Sequence, residues 1–319
     1  MVQCHEDAMR IMLVAKNDWA NVGYGFAESL KSIGLDATMV MQSGSVYGYP
    51  KQGKRVKTIQ ALRGYASHAD IIQFMHSRFI DVGINDLSTK RVFVFHGGGK
   101  YRENHESINE FFNPIVEKTL IQTGDLFNLG AKNEVWVLPA VDTGTIRPVY
   151  NDNDKLIVGH FPTSGKKKGS DVIISVLNDL SKMDEFKDKF EFRHSGIDNR
   201  VSWQEQMHRI APCDIYIDQM KLGEWGMVAL EAAALGKIVI SAFNSYYRYM
   251  TEYGYCPMMI FRNADQLRHI IINLLRTDRS IIRMSQRSHR TWVETQHSYE
   301  VTGMRLAEKV YGIYPKTGG

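Results

Sequence analysis

Cysteine is scarce in this chain and never clustered. Cys4, Cys213 and Cys256 stand far apart among 319 residues. They make no CxxC pair and no disulfide framework, so a reducing compartment is expected. Long apolar runs are missing as well, and none approaches the ~18 residues needed to span a bilayer. The opening residues MVQCHEDAMR lack the apolar core of a signal peptide. A soluble, cytoplasmic protein is the expectation, with peripheral contact to a membrane left open. Neither sign of charge dominates: 39 basic residues face 35 acidic ones, a net charge of +4. That balance suits an anionic ligand or surface without demanding nucleic acid.

Several motifs are absent, and each absence removes a function. No GxGxxG follows the first strand, which excludes the dinucleotide fingerprint. The segment from His96 to Gly99 reads HGGG, the oxyanion loop of esterases, but no GxSxG nucleophile elbow occurs anywhere. Gly159 to Gly165 is one residue too long for a phosphate-binding Walker loop, and no Ser or Thr directly follows Lys166. Asp152 and Asp154 make a DxD, but they lie in a polar stretch before a strand and read as solvent-facing. No metal site is expected.

What remains is a regular alternation of strand and helix. Strands are expected over residues 10–15, 37–41, 70–73, 91–95, 119–123 and 134–138. A helix over 25–34 follows a polar loop that carries Gly23. Residues 42–64 read as an exposed loop with Tyr47, Tyr49 and Lys51, either a solvated basic face or a contact for an anionic partner. Residues 150–154 read as a linker. A second alternation begins at 156–159, with a basic loop over 160–168, a helix over 169–180, a strand over 190–194 and a helix over 202–210. Amphipathic helices over 265–276 and 279–289 and a last helix over 299–311 complete it. Two doubly wound α/β domains are expected, 1–150 and 151–297, with 298–319 as a final helical segment.

The densest stretch, over residues 214–241, reads strand, glycine loop, helix, strand. Gly223 and Gly226 let a ligand approach, and the helix beginning at Met227 directs its free N–H groups at the loop. Glu224 and Glu231 flank the place. A phosphate site with carboxylates for hydroxyls suits a sugar nucleotide; an ordinary βαβ turn is the plain alternative. The lysines at 166–168 make a second anion candidate before a helix.

These residues resemble the signature of retaining GT-B glycosyltransferases of family 4. Trp225-Gly226, Val228-Ala229-Leu230-Glu231-Ala232 and Leu235-Gly236 match it. Six residues rather than seven separate Glu224 from Glu231, and Gly223 occupies the usual first-glutamate position. Residues 138–148 resemble the family's segment at the end of the first domain, and Lys168-Gly169 its diphosphate-binding segment, with His160 in place of an arginine. His96 resembles the histidine that lies over the donor sugar.

The resemblance implies a GT-B fold, two Rossmann-like domains with a cleft between them, and a last helix that crosses back to the first domain. It implies transfer of a sugar from a nucleotide-diphosphate donor, UDP-sugar first, to an acceptor hydroxyl, with retention and without a metal or other cofactor. His96, Lys168, Glu224 and Glu231 are the implied catalytic residues. Gly23, Gly25, His160, Lys166, Gly223, Trp225, Gly226 and Met227 would join Lys168 and Glu231 around the donor. Tyr47, Tyr49, Lys51 and Arg102 would lie on the acceptor side, toward a glycan, an anionic glycolipid or modified DNA. A sugar-nucleotide epimerase on the same fold and a binding protein with a decayed site are the rivals. Neither the sugar nor the acceptor is readable.

Overall fold

The computed structural model describes residues 9–196 and 200–314. Expectations that rest on residues 1–8, Cys4 among them, lie outside that range. The chain divides into two compact units. Unit 1 is 1–140 with 298–319, and unit 2 is 141–297.

Unit 1 is built on a seven-stranded parallel sheet in the order β3-β2-β1-β4-β5-β6-β7. Its strands are β1 Arg10–Ala15, β2 Asp36–Met41, β3 Lys54–Arg55, β4 Ile71–Phe74, β5 Arg91–His96, β6 Lys118–Ile121 and β7 Glu134–Trp136. The central strands are near-continuous apolar runs, RIMLVA in β1 and IIQF in β4, because helices cover both faces. Helices α1 Val22–Ser32, α2 Ile59–His68 and α3 Gly99–Phe112 belong to this unit. Three differences from the sequence reading matter. Gly23 and Gly25 lie inside α1, which starts at Val22 rather than after a glycine loop. The stretch over 42–64 is not all loop, since β3 and the start of α2 fall within it. Residues 100–109, expected from the sequence to be an acceptor-side loop, lie within α3.

Unit 2 carries a five-stranded parallel sheet in the order β12-β11-β10-β8-β9. Its strands are β8 Leu156–His160, β9 Phe190–His194, β10 Ile215–Ile217, β11 Ile238–Ser241 and β12 Met259–Ile260. The helices are α4 Gly165–Lys168, α5 Ser170–Ser181, α6 Trp203–Ile210, α7 Met227–Ala234, α8 Tyr246–Tyr253, α9 Ala264–Leu275 and α10 Arg279–His297. Its core packs Val158, Ile215, Ile217, Ile238 and Ile240 against Ile173, Leu177, Leu267 and Ile271. The segment from Val141 is tied into this unit, ten residues before the expected boundary. Val141 N–H donates to the His297 carbonyl at 2.8 Å. The Arg290 guanidinium donates to the carbonyls of Thr143, Ile146 and Ala234 at 2.6–2.7 Å.

After α10 the chain rejoins unit 1 through α11 Tyr299–Arg305 and a π-helical turn over Leu306–Tyr311. A Cβ on Gly303 would collide with the Ser29 carbonyl, so glycine lets α11 lie directly on α1. Tyr311 completes the seam, donating its hydroxyl to Gln73 Oε1 at 2.6 Å beneath the sheet.

Candidate functional site

Each sheet has a point where strand order reverses, and a crevice opens there beyond the strand C-termini. In unit 2 that point lies between β8 and β10. Asp218 directly follows β10 and is fully buried. Its Oδ1 accepts from Lys168 Nζ at 2.6 Å, across from α4. Its Oδ2 accepts from Gly226 N–H at 2.8 Å, at the N-cap of α7. One carboxylate thus fastens the lysine segment to the glycine loop. Lys166 and Lys167 are exposed on α4, whose single turn ends at Gly169 in the left-handed region.

The loop over 222–226 is shaped by packing. Gly223 sits at φ 75°, and a Cβ there would collide with the Asn244 amide. Gln219 braces the loop, donating to the Glu224 carbonyl and accepting from Leu222 N–H at 2.7 Å. The Glu224 carboxylate is buried and accepts from Ser245 N–H at 3.1 Å and Ser245 Oγ at 2.5 Å, just before α8. Through Oε1 it holds the loop to the start of α8. Trp225 points inward, edge-on to Phe243, Trp292 and His297. Its indole is core, so only its backbone remains at the loop surface. Met227, the first residue of α7, is half-buried.

Glu231 lies one turn into α7, 3% exposed, and accepts from Trp203 Nε1 at 2.7 Å. His160 is corrected as a donor contact. It is fully buried, with Nδ1 at 2.9 Å from the Ile217 carbonyl and Nε2 at 2.7 Å from Ser170 Oγ. The carbonyl can only accept, so Nδ1 carries the proton and Nε2 accepts from the serine. Burial above all pushes its pKa down to about 4, which keeps the ring neutral.

In unit 1 the reversal lies between β1 and β4, and a second buried aspartate sits there. Asp18 Oδ1 pairs with His76 Nε2 at 2.8 Å, and Oδ2 accepts from Tyr24 N–H at 2.8 Å in the first turn of α1. The carboxylate fills the helix terminus that the sequence reading assigned to donor phosphate through Gly23 and Gly25. Gly23 is small because Met39 and Asp18 pack against it. His76 is held at φ 58°, in the left-handed region that only a tightly determined non-glycine residue occupies.

His96 is also corrected. The His96 ring is fully buried and stacked on Tyr101, with ring centroids 4.0 Å apart at 17°. Burial drives its pKa down to about 3. It is a core ring and has no exposed edge for a sugar. The Arg102 fork is taken by Asp125, at 2.5 and 3.0 Å, and by Thr123. Tyr47 packs edge-on to Trp19, and the Tyr49 carbonyl accepts from Gln52. Lys51 is exposed, while its carbonyl accepts from Asn21 at 2.9 Å.

The structure therefore brings Lys168, Gly223, Gly226, Met227 and Glu231 into one region of unit 2. Sequence reasoning missed Asp218, Trp203, Asp18 and His76. Asp218 directly follows β10 and Asp18 lies three residues beyond β1, each at a sheet reversal, but neither sits in a motif. Among the described residues no group of three His, Cys, Asp or Glu side chains could hold a metal ion, and no helix is long and apolar enough to cross a membrane.

No family model and no curated protein sequence matches the chain. Solved structures do match in fold. HepE from Anabaena, in complex with UDP and glucose, aligns with a TM-score of 0.64 at 11% identity, over 96% of this chain and 100% of that one. Sucrose-phosphate synthase from Thermosynechococcus elongatus aligns with a TM-score of 0.61 at 11% identity, over 95% of this chain and 98% of that one. WaaG, a glycosyltransferase involved in lipopolysaccharide biosynthesis, aligns with a TM-score of 0.57 at 14% identity, over 97% and 100%. The fold is thus the α/β fold of GT-B glycosyltransferases, with two Rossmann-like units.

Proposed function

We propose that the protein is a glycosyltransferase that takes a sugar from a nucleotide-diphosphate donor, UDP-sugar in the first instance, and transfers it to an acceptor hydroxyl. The observation that carries this reading is the Lys168–Asp218–Gly226 chain across the β8–β10 reversal, in a fold that similar structures use to hold UDP. In this reading unit 2 binds the donor. Lys168, with Lys166 exposed beside it, faces the diphosphate. The N-terminus of α7 adds backbone donors at Met227, and Gly223 and Gly226 keep the loop low enough for the phosphates. Glu231, oriented by Trp203, accepts from the ribose hydroxyls.

The chemistry follows from charge. The bond from C1 of the sugar to the diphosphate oxygen breaks, and its electron pair leaves with the phosphate. Fixed cations and helix-terminal N–H groups stabilise that charge best when they need not reorganise. The acceptor oxygen bonds to C1 on the face that the phosphate leaves, which gives retention, and its proton passes to the departing phosphate oxygen. We assign no metal to this scheme, so turnover should survive a chelator. A second reading rests on the Asp18–His76 pair. Asp18 accepts the hydrogen bond from Nε2–H, which leaves Nδ1 of His76 as a base for an acceptor hydroxyl, and transfer driven by such a base proceeds with inversion.

The test is calorimetric titration with UDP-, GDP-, ADP- and TDP-sugars on the wild type, Lys168→Ala and Glu231→Ala, followed by analysis of the product. One nucleotide should bind, and each substitution should weaken it roughly tenfold to a hundredfold, as expected for lost charged hydrogen bonds. The anomeric configuration of the product then separates retention from inversion. Conversion of donor without acceptor would point to an epimerase, and binding of no nucleotide would sink the transferase reading.

A further inference from the structure

We infer that unit 1 holds a second anion site, a cationic cavity that takes the phosphate group of the acceptor. This rests on the transferase reading for the word acceptor, but not for the site itself. The cavity has a volume of about 470 Å³ and is lined by Lys16, Lys57 and Arg78. These three cations come from separate parts of the chain. Lys16 directly follows β1, Lys57 lies two residues before α2, and Arg78 lies four residues beyond β4. Gln42, the residue after β2, also lines the cavity. The cavity therefore opens beyond the C-terminal ends of β1, β2 and β4, around the reversal of the sheet, where ligands of doubly wound folds bind.

Among the described residues, Asp81 is the one acid that lines the cavity beside these three cations. Elsewhere in this unit, half-buried Arg91 pairs with Glu117 and half-buried Arg102 with Asp125. The side chains of Lys16, Lys57 and Arg78 take part in no hydrogen bond or ion pair among the described residues. Asp81 is the single acid of the lining, and its Oδ1 is occupied by Gly83 N–H at 2.8 Å. Two lysines and an arginine against one acid leave a surplus of positive charge in a concave site. Arg78 also sits close enough to Lys100 to help burial lower that lysine's pKa, so like charges crowd here at a cost that a bound anion would relieve.

Size and rim narrow the ligand. The volume exceeds what an inorganic ion fills and falls in the range of small-molecule sites. Guanidinium and ammonium groups together suit phosphate oxygens. The rim is apolar: Ile59 is 41% exposed and Phe79 39%, and the Phe79 ring lies 5.1 Å from that of Phe111, itself 48% exposed. A phosphate ester with a carbon skeleton matches both features. The source is a soluble sugar- or glycerol-phosphate or the headgroup of an anionic lipid, and the two can be told apart by experiment.

The experiment uses the full chain and two probes, sn-glycerol 1-phosphate by calorimetry and vesicles of phosphatidylcholine with phosphatidylglycerol by sedimentation. Each is measured on the wild type, on the combined Lys16→Ala, Lys57→Ala, Arg78→Ala variant, and on Lys132→Ala as a control for loss of a surface lysine elsewhere. Each removed cation should weaken binding roughly fivefold, so the combined variant should lose roughly a hundredfold while Lys132→Ala stays at wild-type affinity. Binding of glycerol phosphate with that loss supports the site with a soluble ligand. Binding of vesicles alone, with the same loss, supports it with a lipid headgroup. Binding of neither probe, or affinity unchanged in the combined variant, overturns the proposal. UDP titration of the same variant, whose changes all lie in unit 1, separates the two readings. UDP binding with an inert cavity refutes only this site, whereas an active cavity without any nucleotide binding refutes only the transferase.

Discussion

At the scale of single residues, the two units use the same device. A fully buried aspartate stands just beyond a central strand, receives an N–H from the start of a helix, and holds one further side chain: Lys168 in unit 2, His76 in unit 1. Such a carboxylate was invisible as a site residue, because a lone Asp after an apolar run has no motif around it. Lys168, Gly226 and Glu231 were legible, since they sat in a glycine-and-lysine pattern. His160 and His96 matched by spacing, but both rings lie fully buried in the core. Asp218→Asn tests the device. It keeps the volume but removes the charge that Lys168 faces with its side chain only 12% exposed. Breaking one partner out of a buried pair costs about 3 kcal/mol. Thermal unfolding should fall by about 6–12 °C for a domain of this size, and UDP affinity should fall with it. Unchanged stability would mean that the contact carries no energy.

At the scale of elements, the strands and most helix starts of unit 2 were read to within about a residue, while the start of α1 and the whole of α3 were not. Runs such as RIMLVA and LIVGH announce themselves by composition. The start of α1 was hidden because Asn21 enters it in the left-handed conformation and glycines occupy its first turn, which reads locally as a loop. In α3 the hydrophobic positions are few, and only Tyr101, Ile108, Asn109 and Phe112 are buried. The docking of α11 on α1 depends on one missing methyl group, at Gly303 against the Ser29 carbonyl. Gly303→Val should force the helices apart at a cost of about 2 kcal/mol, as overpacking does. Hydrogen exchange would then rise through 299–311, including the Tyr311 contact with Gln73, while the β8–β11 amides keep their protection. Exchange at 299–311 equal to wild type would show that the close approach is dispensable.

At the scale of the molecule, acid tests whether the two units stand or fall separately. His96 in unit 1 and His160 and His289 in unit 2 are buried, and burial lowers their pKa values to about 3, 4 and 4 from 6.5. A lowered histidine pKa means that the unfolded chain binds the proton first. Between pH 6.5 and about 4 the unfolded state therefore gains protons that the folded state refuses, and stability falls as the pH falls. Above 6.5 both states are neutral at these sites and the contribution is flat. Each histidine gives at most about 1.4 kcal/mol per pH unit, so unit 2 should weaken about twice as steeply as unit 1. Urea unfolding followed by hydrogen exchange at pH 7.0, 6.0 and 5.0, above the range where most carboxylates titrate, reads the two slopes. His289→Gln should reduce the slope of unit 2 toward that of unit 1 and leave unit 1 untouched. Equal slopes in both units would show that they unfold as one cooperative body, and a slope unchanged by the substitution would show that His289 does not drive the acid sensitivity.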